Sequence, residues 1–178
     1  GFAIYGTEAG EGRAALRSQT KRKYIIILKM KLEIKDILAD NLADAIDLAW
    51  EVFLQFEAPE YTVEGVKEFY NSIHDPSYLS QLEVFAAYDG NEMAGVIATR
   101  NQGSHIALFF VKSEYQGKGI GRQLFDVVAH RCPANAMTVF SSPYAVPIYH
   151  KLGFLDTDTE KTTNGIRYTP MEIVPSNK

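Results

Sequence analysis

The sequence holds a single cysteine, Cys132, among 178 residues. One thiol excludes an intrachain disulfide and a cysteine-based zinc cage, and it points to a reducing compartment. No metal site is expected. Long apolar runs are missing as well. Nothing approaches the ~20 residues that a membrane helix needs, so a soluble, cytoplasmic chain without membrane contact is the expectation. Internal repeats are absent, and no linker interrupts residues 30–178. What is present is ordinary globular material, 46% hydrophobic, 12% aromatic and 22% charged, a mixture too apolar for a disordered chain. A chain of about 150 residues can bury roughly 70% of its extended surface, which is enough for a core without disulfides or metal.

Charge divides the chain unevenly. Residues 1–29 carry six basic against two acidic side chains, a balance of +4, whereas residues 30–178 carry 12 against 20, a balance of −8. Lys21, Arg22 and Lys23 precede an apolar stretch of only five residues, 24–28. A secretory apolar region needs about 7–15. Residues 1–29 therefore read as a basic N-terminal tail or, preferred, as an extension upstream of a start at Met30, with an edge strand over 24–28 as a third reading. The acidic balance of the remainder argues against nucleic acid as a partner and favours small amines or basic peptides.

Periodicity organises residues 30–178 into one mixed α/β domain. Residues 31–37 read as a short strand. Leu42, Ala45, Ile46, Ala49, Trp50, Phe53 and Leu54 then recur at helical spacing after a cap at Asp40 or Asn41. A second helix spans 63–74, with Asp75-Pro76 closing it. Residues 82–88 and 93–100 form a hairpin around Asp89-Gly90, and 104–111 is a fourth, apolar strand. Ile120, Leu124, Val127 and Val128 mark a helix that ends near Cys132-Pro133. Residues 137–140 read as a strand, 145–152 as a helix, and 154–157 and 166–173 as the last strands.

The most informative stretch is Val111-Lys112-Ser113-Glu114-Tyr115-Gln116-Gly117-Lys118-Gly119-Ile120-Gly121-Arg122. An apolar strand runs into a glycine-rich turn that opens directly into a helix. Three glycines allow successive amides to converge, and the helix N-terminus adds unpaired donors, which together suit an anion such as pyrophosphate. Neither a dinucleotide fingerprint nor a Walker loop fits this spacing.

Gln116-Gly117-Lys118-Gly119-Ile120-Gly121 resembles the [Q/R]-x-x-G-x-[G/A] motif of the GNAT superfamily of acyl-CoA-dependent N-acetyltransferases. Ser142, Ala145, Tyr149 and Gly153-Phe154 resemble that family's second motif, with Ser142 where asparagine is usual. The element order agrees over residues 30–174. The resemblance implies an α/β fold of three layers, a mixed and mostly antiparallel sheet splayed between strands four and five, with helices on both faces. It implies acetyl-CoA as cofactor, its pyrophosphate on the amides of Gln116, Gly117, Lys118, Gly119, Ile120, Gly121 and Arg122, and its pantetheine along Phe109, Phe110 and Val111 beside Ser142. The Phe109 amide becomes a candidate donor to the thioester carbonyl. Tyr149 becomes the acid that protonates the departing thiolate. Pro147 removes a donor from its helix, so a late start or a kink is expected there.

An amine acceptor arrives protonated, so a base is needed. The position that carries a glutamate in the histone-acetylating branch is His105 here. Strand alternation puts His105 on one face with Ala107, Phe109 and Val111, and an unperturbed imidazole suits the task. Glu114 and an ordered water are the rivals. The family's acceptor pocket maps to Phe53, Phe56, Glu57, Tyr61 and Tyr168, with Glu57 and Glu60 placed to attract a cationic amine. The expected activity is direct acetyl transfer to a primary amine of a small molecule or peptide. A CoA-binding sensor that has lost catalysis is the alternative. The acceptor and the oligomeric state, a homodimer included, are left open.

Overall fold

The computed structural model describes residues 16–23, 30–38 and 41–174. Contacts divide the chain into Gly1–Lys31 and Leu32–Lys178. In the first unit residues 16–23 are helical and exposed, and the Thr20 hydroxyl donates to the Leu16 carbonyl at 2.8 Å. The edge strand considered at 24–28 lies outside the described residues.

The second unit runs β1 (Leu32–Asp36), α1 (Leu42–Phe56), a 3-10 turn (Ala58–Glu60), α2 (Val63–Ile73), α3 (Pro76–Leu79), β2 (Glu83–Asp89), β3 (Glu92–Arg100), β4 (His105–Val111), a second 3-10 turn (Ser113–Tyr115), α4 (Ile120–Arg131), β5 (Met137–Ser141), α5 (Val146–Leu152), β6 (Leu155–Asp156), β7 (Lys161–Thr163) and β8 (Ile166–Ile173). The sheet order is β1-β2-β3-β4-β5-β8-β6, with β7 paired to β8. Every pairing is antiparallel except β4 with β5. This is the mixed α/β architecture expected.

Local chemistry explains where the elements begin. The Thr62 hydroxyl accepts from the Gly65 amide at 3.2 Å and starts α2, satisfying one orphan donor of its first turn. Asp75 does the same for Ser77, and Pro76 needs no donor at the first helical position. Asp75-Pro76 therefore opens α3 rather than merely closing α2. Pro147 likewise lies in the first turn of α5, where its missing N–H costs nothing, and the helix begins late, at Val146, the first of the two outcomes expected.

The buried face of α1 comprises Ala45, Ile46, Leu48, Ala49, Val52 and Phe53. It packs on Val84, Ala86, Val96, Ala98, Leu108 and Phe110 of the sheet. Leu54, placed on the stripe by spacing, is 45% exposed. Phe53 is fully buried, stacked 3.9 Å from the Phe69 ring and 5.6 Å from Trp50. On the opposite face, a Cβ on Gly95 would lie 3.2 Å from Leu124 of α4. The sheet is thus covered on both sides.

Two close approaches fix the frame around the site. Gly65 in α2 packs so tightly on the β7–β8 turn that a Cβ there would overlap the Gly165 carbonyl, and Gly165 itself has φ +78°. A β-bulge interrupts the β3–β4 register: Ala98 opposes Leu108, but Thr99 opposes Ile106. Ala107 is the extra residue, and past it the strand's facing reverses.

Candidate functional site

β4 and β5 pair as strands only at His105–Thr138 and Ile106–Val139. From Ala107 to Val111 the strands diverge, and the edge of β4 that faces β5 is left without a strand partner. A cleft of about 350 Å³ fills the gap. Phe109, Phe110 and Val111 line one side, and Tyr144, Ala145, Ile148 and Tyr149 line the other. Gln116, Gly117 and Gly121 close one end, while Phe56 and Glu57 come from the end of α1.

The glycine loop is built for access by backbone. Gly117 and Gly119 adopt φ +68° and +85°, and a Cβ on either would meet nothing within 4 Å. Glycine is required there by conformation rather than space. Gly119 caps α4 with no side-chain bond, and the amides of residues 117–122 take no protein acceptor among the described residues. These are the orphan donors of a helix start, gathered at the mouth of the cleft. Gly121 is different: a Cβ there would lie 3.4 Å from the Phe109 ring. The Gln116 side chain donates to the Val111 carbonyl at 2.9 Å and ties the loop to β4. Of the two cations, Arg122 donates to the Lys151 carbonyl at 3.1 Å, and Lys118 lies over the Tyr115 ring.

Tyr149 is carried by α5, which ends in a tight turn at Gly153, φ +106°. Its buried ring stands 6.0 Å from Phe109 and 5.2 Å from Phe154. Burial and the neighbouring Glu57 carboxylate push the phenol well above its usual range, so it keeps its proton at neutral pH. Burial also raises the Glu57 carboxyl, to about 7, against the lowering effect of a hydrogen bond with Ser142. Ser142 is itself buried and accepts from the Ala145 amide at 3.3 Å.

A second cavity, about 240 Å³, lies beyond the junction and is walled by Tyr61, Ser72, Tyr78, Arg100, His105 and Phe140 among others. Glu57, Phe109, Phe110, Ala145 and Tyr149 line both spaces. A cleft that opens where two parallel strands part, with an amide-rich glycine turn at its mouth, narrows the fold class sharply. A model of the GNAT acetyltransferase domain matches residues 57–175.

The chain belongs to the GNAT acetyltransferase family.

Solved structures agree in fold. The chain is similar to a GCN5-related N-acetyltransferase from Rhodopseudomonas palustris, at 20% identity and TM-score 0.70, over 82% of this chain and 97% of that one. It is similar to the PaiA N-acetyltransferase from Thermoplasma acidophilum in complex with coenzyme A, at 19% identity and TM-score 0.61, over 82% and 99%. A spermidine N-acetyltransferase from Vibrio cholerae, in complex with CoA and spermine, aligns at 19% identity and TM-score 0.52, over 82% and 96%. No curated protein sequence matches the chain. With membership in the GNAT family comes its cofactor, acetyl-CoA, and the open amides and β4 edge fit that group. Among the described residues no helix is long and apolar enough to cross a membrane, and no three metal-ligating side chains cluster.

Within the GNAT frame some expected residues converge and others do not. Phe109, Phe110, Val111, Gln116, Gly117, Gly121, Tyr149 and Glu57 all line the cleft. Phe56 lies there too, stacked 5.1 Å from Tyr144. Phe53 lines neither cavity, because its ring is consumed by the aromatic core. Tyr168 stands behind Phe140, with ring centroids 4.9 Å apart, and Tyr61 lines the second cavity. Glu60 is held by Arg167 at 3.2 Å, so it is not a free attractor. Glu114 is exposed and held below the usual carboxylate range, first by its own backbone amide, which leaves it a poor base. His105 differs most from expectation. The bulge at Ala107 puts it on the face of Arg100, Leu108 and Phe110, not that of Phe109 and Val111. Burial, then Arg100, lowers its imidazole to about 4, while its Nδ1 meets the Thr138 hydroxyl at 2.8 Å. The residue that sequence reasoning undervalued is Arg100, on the same face.

Proposed function

We propose that the protein transfers the acetyl group of acetyl-CoA directly to the primary amine of a small acceptor. The observation that carries this reading is the junction: a cleft with the glycine loop at its mouth and a smaller cavity meet where Glu57 and Tyr149 line both. A donor and an acceptor entering from opposite sides would meet there, so reactants are brought into line by shape. The amides of residues 117–122 would hold the pyrophosphate, and the open edge of β4 the pantetheine, as an added strand is held. When bound, acetyl-CoA supplies an activated acyl carbon and a thiolate leaving group.

The protein's own groups move the protons. Glu57, with a carboxyl near neutrality, takes one proton from the arriving ammonium and releases it to solvent between turnovers. The Ser142 hydroxyl steadies that carboxylate. As the C–N bond forms and the C–S bond breaks, the amine's second proton leaves by way of the Tyr149 phenol, which protonates the departing sulfur. The Phe109 amide is the candidate donor to the carbonyl oxygen, where negative charge develops. His105, neutral at working pH, serves here as a wall of the acceptor cavity rather than as the base. Attack is direct, and Cys132, at the far end of α4, takes no part.

Calorimetry with acetyl-CoA, dephospho-CoA and ATP tests the reading. Micromolar binding of acetyl-CoA, weakened for ATP because it lacks pantetheine, is expected, followed by amine-dependent thiol release. Absence of binding would reduce the glycine loop to a turn and remove the assignment. Binding without thiol release from any amine would leave a CoA-binding module instead of an enzyme.

A further inference from the structure

The second cavity carries one positive and one negative side chain, and they lie at different parts of its wall. Glu57 marks the junction with the cleft, where Tyr149 also lies. Arg100, the last residue of β3, lines the second cavity alone, beside Tyr78 and His105. Its guanidinium lies 6.0 Å from the Tyr78 ring centroid. Among the described residues its buried Nε has no hydrogen-bond partner, and Arg100 makes no ion pair. A buried donor on a permanent cation is costly to leave unsatisfied, and an anion in the cavity would satisfy both the donor and the charge. The neighbours agree with that. The Tyr78 hydroxyl remains a donor, since burial raises its pKa. The Ser72 hydroxyl already donates to the Glu68 carbonyl at 2.9 Å. No carboxylate on the cavity wall other than Glu57 offers Arg100 a counter-charge.

The same charges speak against a polyamine. A second ammonium on the acceptor would be driven into the arginine, and like charges brought together out of water repel strongly. The acidic balance of the whole domain thus misleads about its acceptor, because the charge that counts is the one on the cavity wall.

We propose that the acceptor is a small amino acid, whose free amine faces Glu57 and Tyr149 while its carboxylate pairs with Arg100. This rests on the acetyl-transfer reading above. The planar fork of arginine offers Nε and an Nη together, a geometry suited to a carboxylate. The cavity, at about 240 Å³, is smaller than the usual 300–1,000 Å³ of drug-sized sites and suits a compact acceptor.

The test uses the full 178-residue chain, acetyl-CoA and a thiol-release assay. Glycine, β-alanine, 4-aminobutyrate and a set of L-α-amino acids are compared with alkylamines of matched length and with spermidine. At least one amino acid is expected to exceed its matched alkylamine by about 10- to 100-fold in kcat/KM, the range that a charge-assisted hydrogen bond supports. Arg100→Gln should remove that advantage through KM. It should leave the calorimetric affinity for acetyl-CoA unchanged, because Arg100 does not line the cofactor cleft, and Arg100→Lys should restore part of the loss. If acetyl-CoA fails to bind the unaltered protein, the acetyl-transfer reading falls and this proposal with it. If acetyl-CoA binds but alkylamines or spermidine match or surpass every amino acid, or no amino acid is acetylated, the acetyl-transfer reading stands or falls on the amines alone and the role of Arg100 is overturned. The comparison on the unaltered protein decides this even if the arginine variants fold poorly.

Discussion

Replacing Glu57 with glutamine should change stability and catalysis at the same pH, because one carboxyl serves both. Its folded value is about 7 against an ordinary 4.5. A carboxyl raised on folding binds its proton more tightly in the native state, so its contribution to stability is complete below about 4.5 and is lost as pH rises through about 7. The shift, at 1.36 kcal/mol for each pH unit, corresponds to about 3 kcal/mol, an upper bound because the residue keeps some solvent contact. Glutamine preserves shape and can still accept from Ser142 but carries no charge at any pH. Glu57→Gln should therefore match the unaltered protein near pH 4.5 and exceed it at pH 8 by up to about 3 kcal/mol, or roughly 6–12 °C in Tm. Urea or thermal unfolding of both proteins from pH 4.5 to 8 measures the difference, in which other titrating groups cancel. The same substitution should lower kcat/KM by about 10²–10⁴, the range for a positioned base, and erase the limb of the pH–rate profile near 7, below which the rate falls as Glu57 takes up its proton. Parallel stability curves over that window would refute the burial argument. A surviving limb would refute the base.

Tyr149→Phe should cut kcat by about 10²-fold while leaving acetyl-CoA affinity nearly unchanged, since the ring and its packing remain; an unchanged kcat would remove Tyr149 as the acid. His105→Asn should leave the limb near pH 7 in place, because the imidazole titrates far below it; loss of that limb in a pH–rate profile would restore His105 as the base. Gly119→Ala meets no steric obstacle but forces an alanine into φ +85°, a cost of about 1–2 kcal/mol, to be read as weaker acetyl-CoA binding by calorimetry with modest loss of Tm. Gly65→Ala drives a methyl into the Gly165 carbonyl and should cost about 1–3 kcal/mol of stability, measured by urea unfolding.

Most of the fold was legible because its elements carry strong local signals. The two glycine turns, the apolar run of β4 and the stripe of α1 each follow from a period or a φ requirement. The short hairpin strand β7 was not legible, since Lys161–Thr163 are polar and wholly exposed and present no alternation. The cofactor side of the site was equally readable. Its chemistry is backbone amides, and glycine spacing announces those directly.

The acid–base side was harder, and the reason is geometric. Strand alternation gave His105 the face of Phe109, and that rule holds only while the register is unbroken. One extra residue at Ala107 reverses it, and nothing in a run as uniform as Ile106-Ala107-Leu108-Phe109 marks where a bulge falls. The reversal that takes His105 away from the Phe109 face is what sets it beside Arg100, and proximity to that cation helps to hold the imidazole neutral. Glu57 did leave a trace. Counted from Leu42 at helical spacing, it falls fifteen residues on, where the apolar stripe of α1 would continue past Phe53. A carboxylate on a buried stripe is either paired or raised in pKa. A position in a loop says nothing of burial, whereas helical phase points this side chain inward, toward the junction where the two cavities meet.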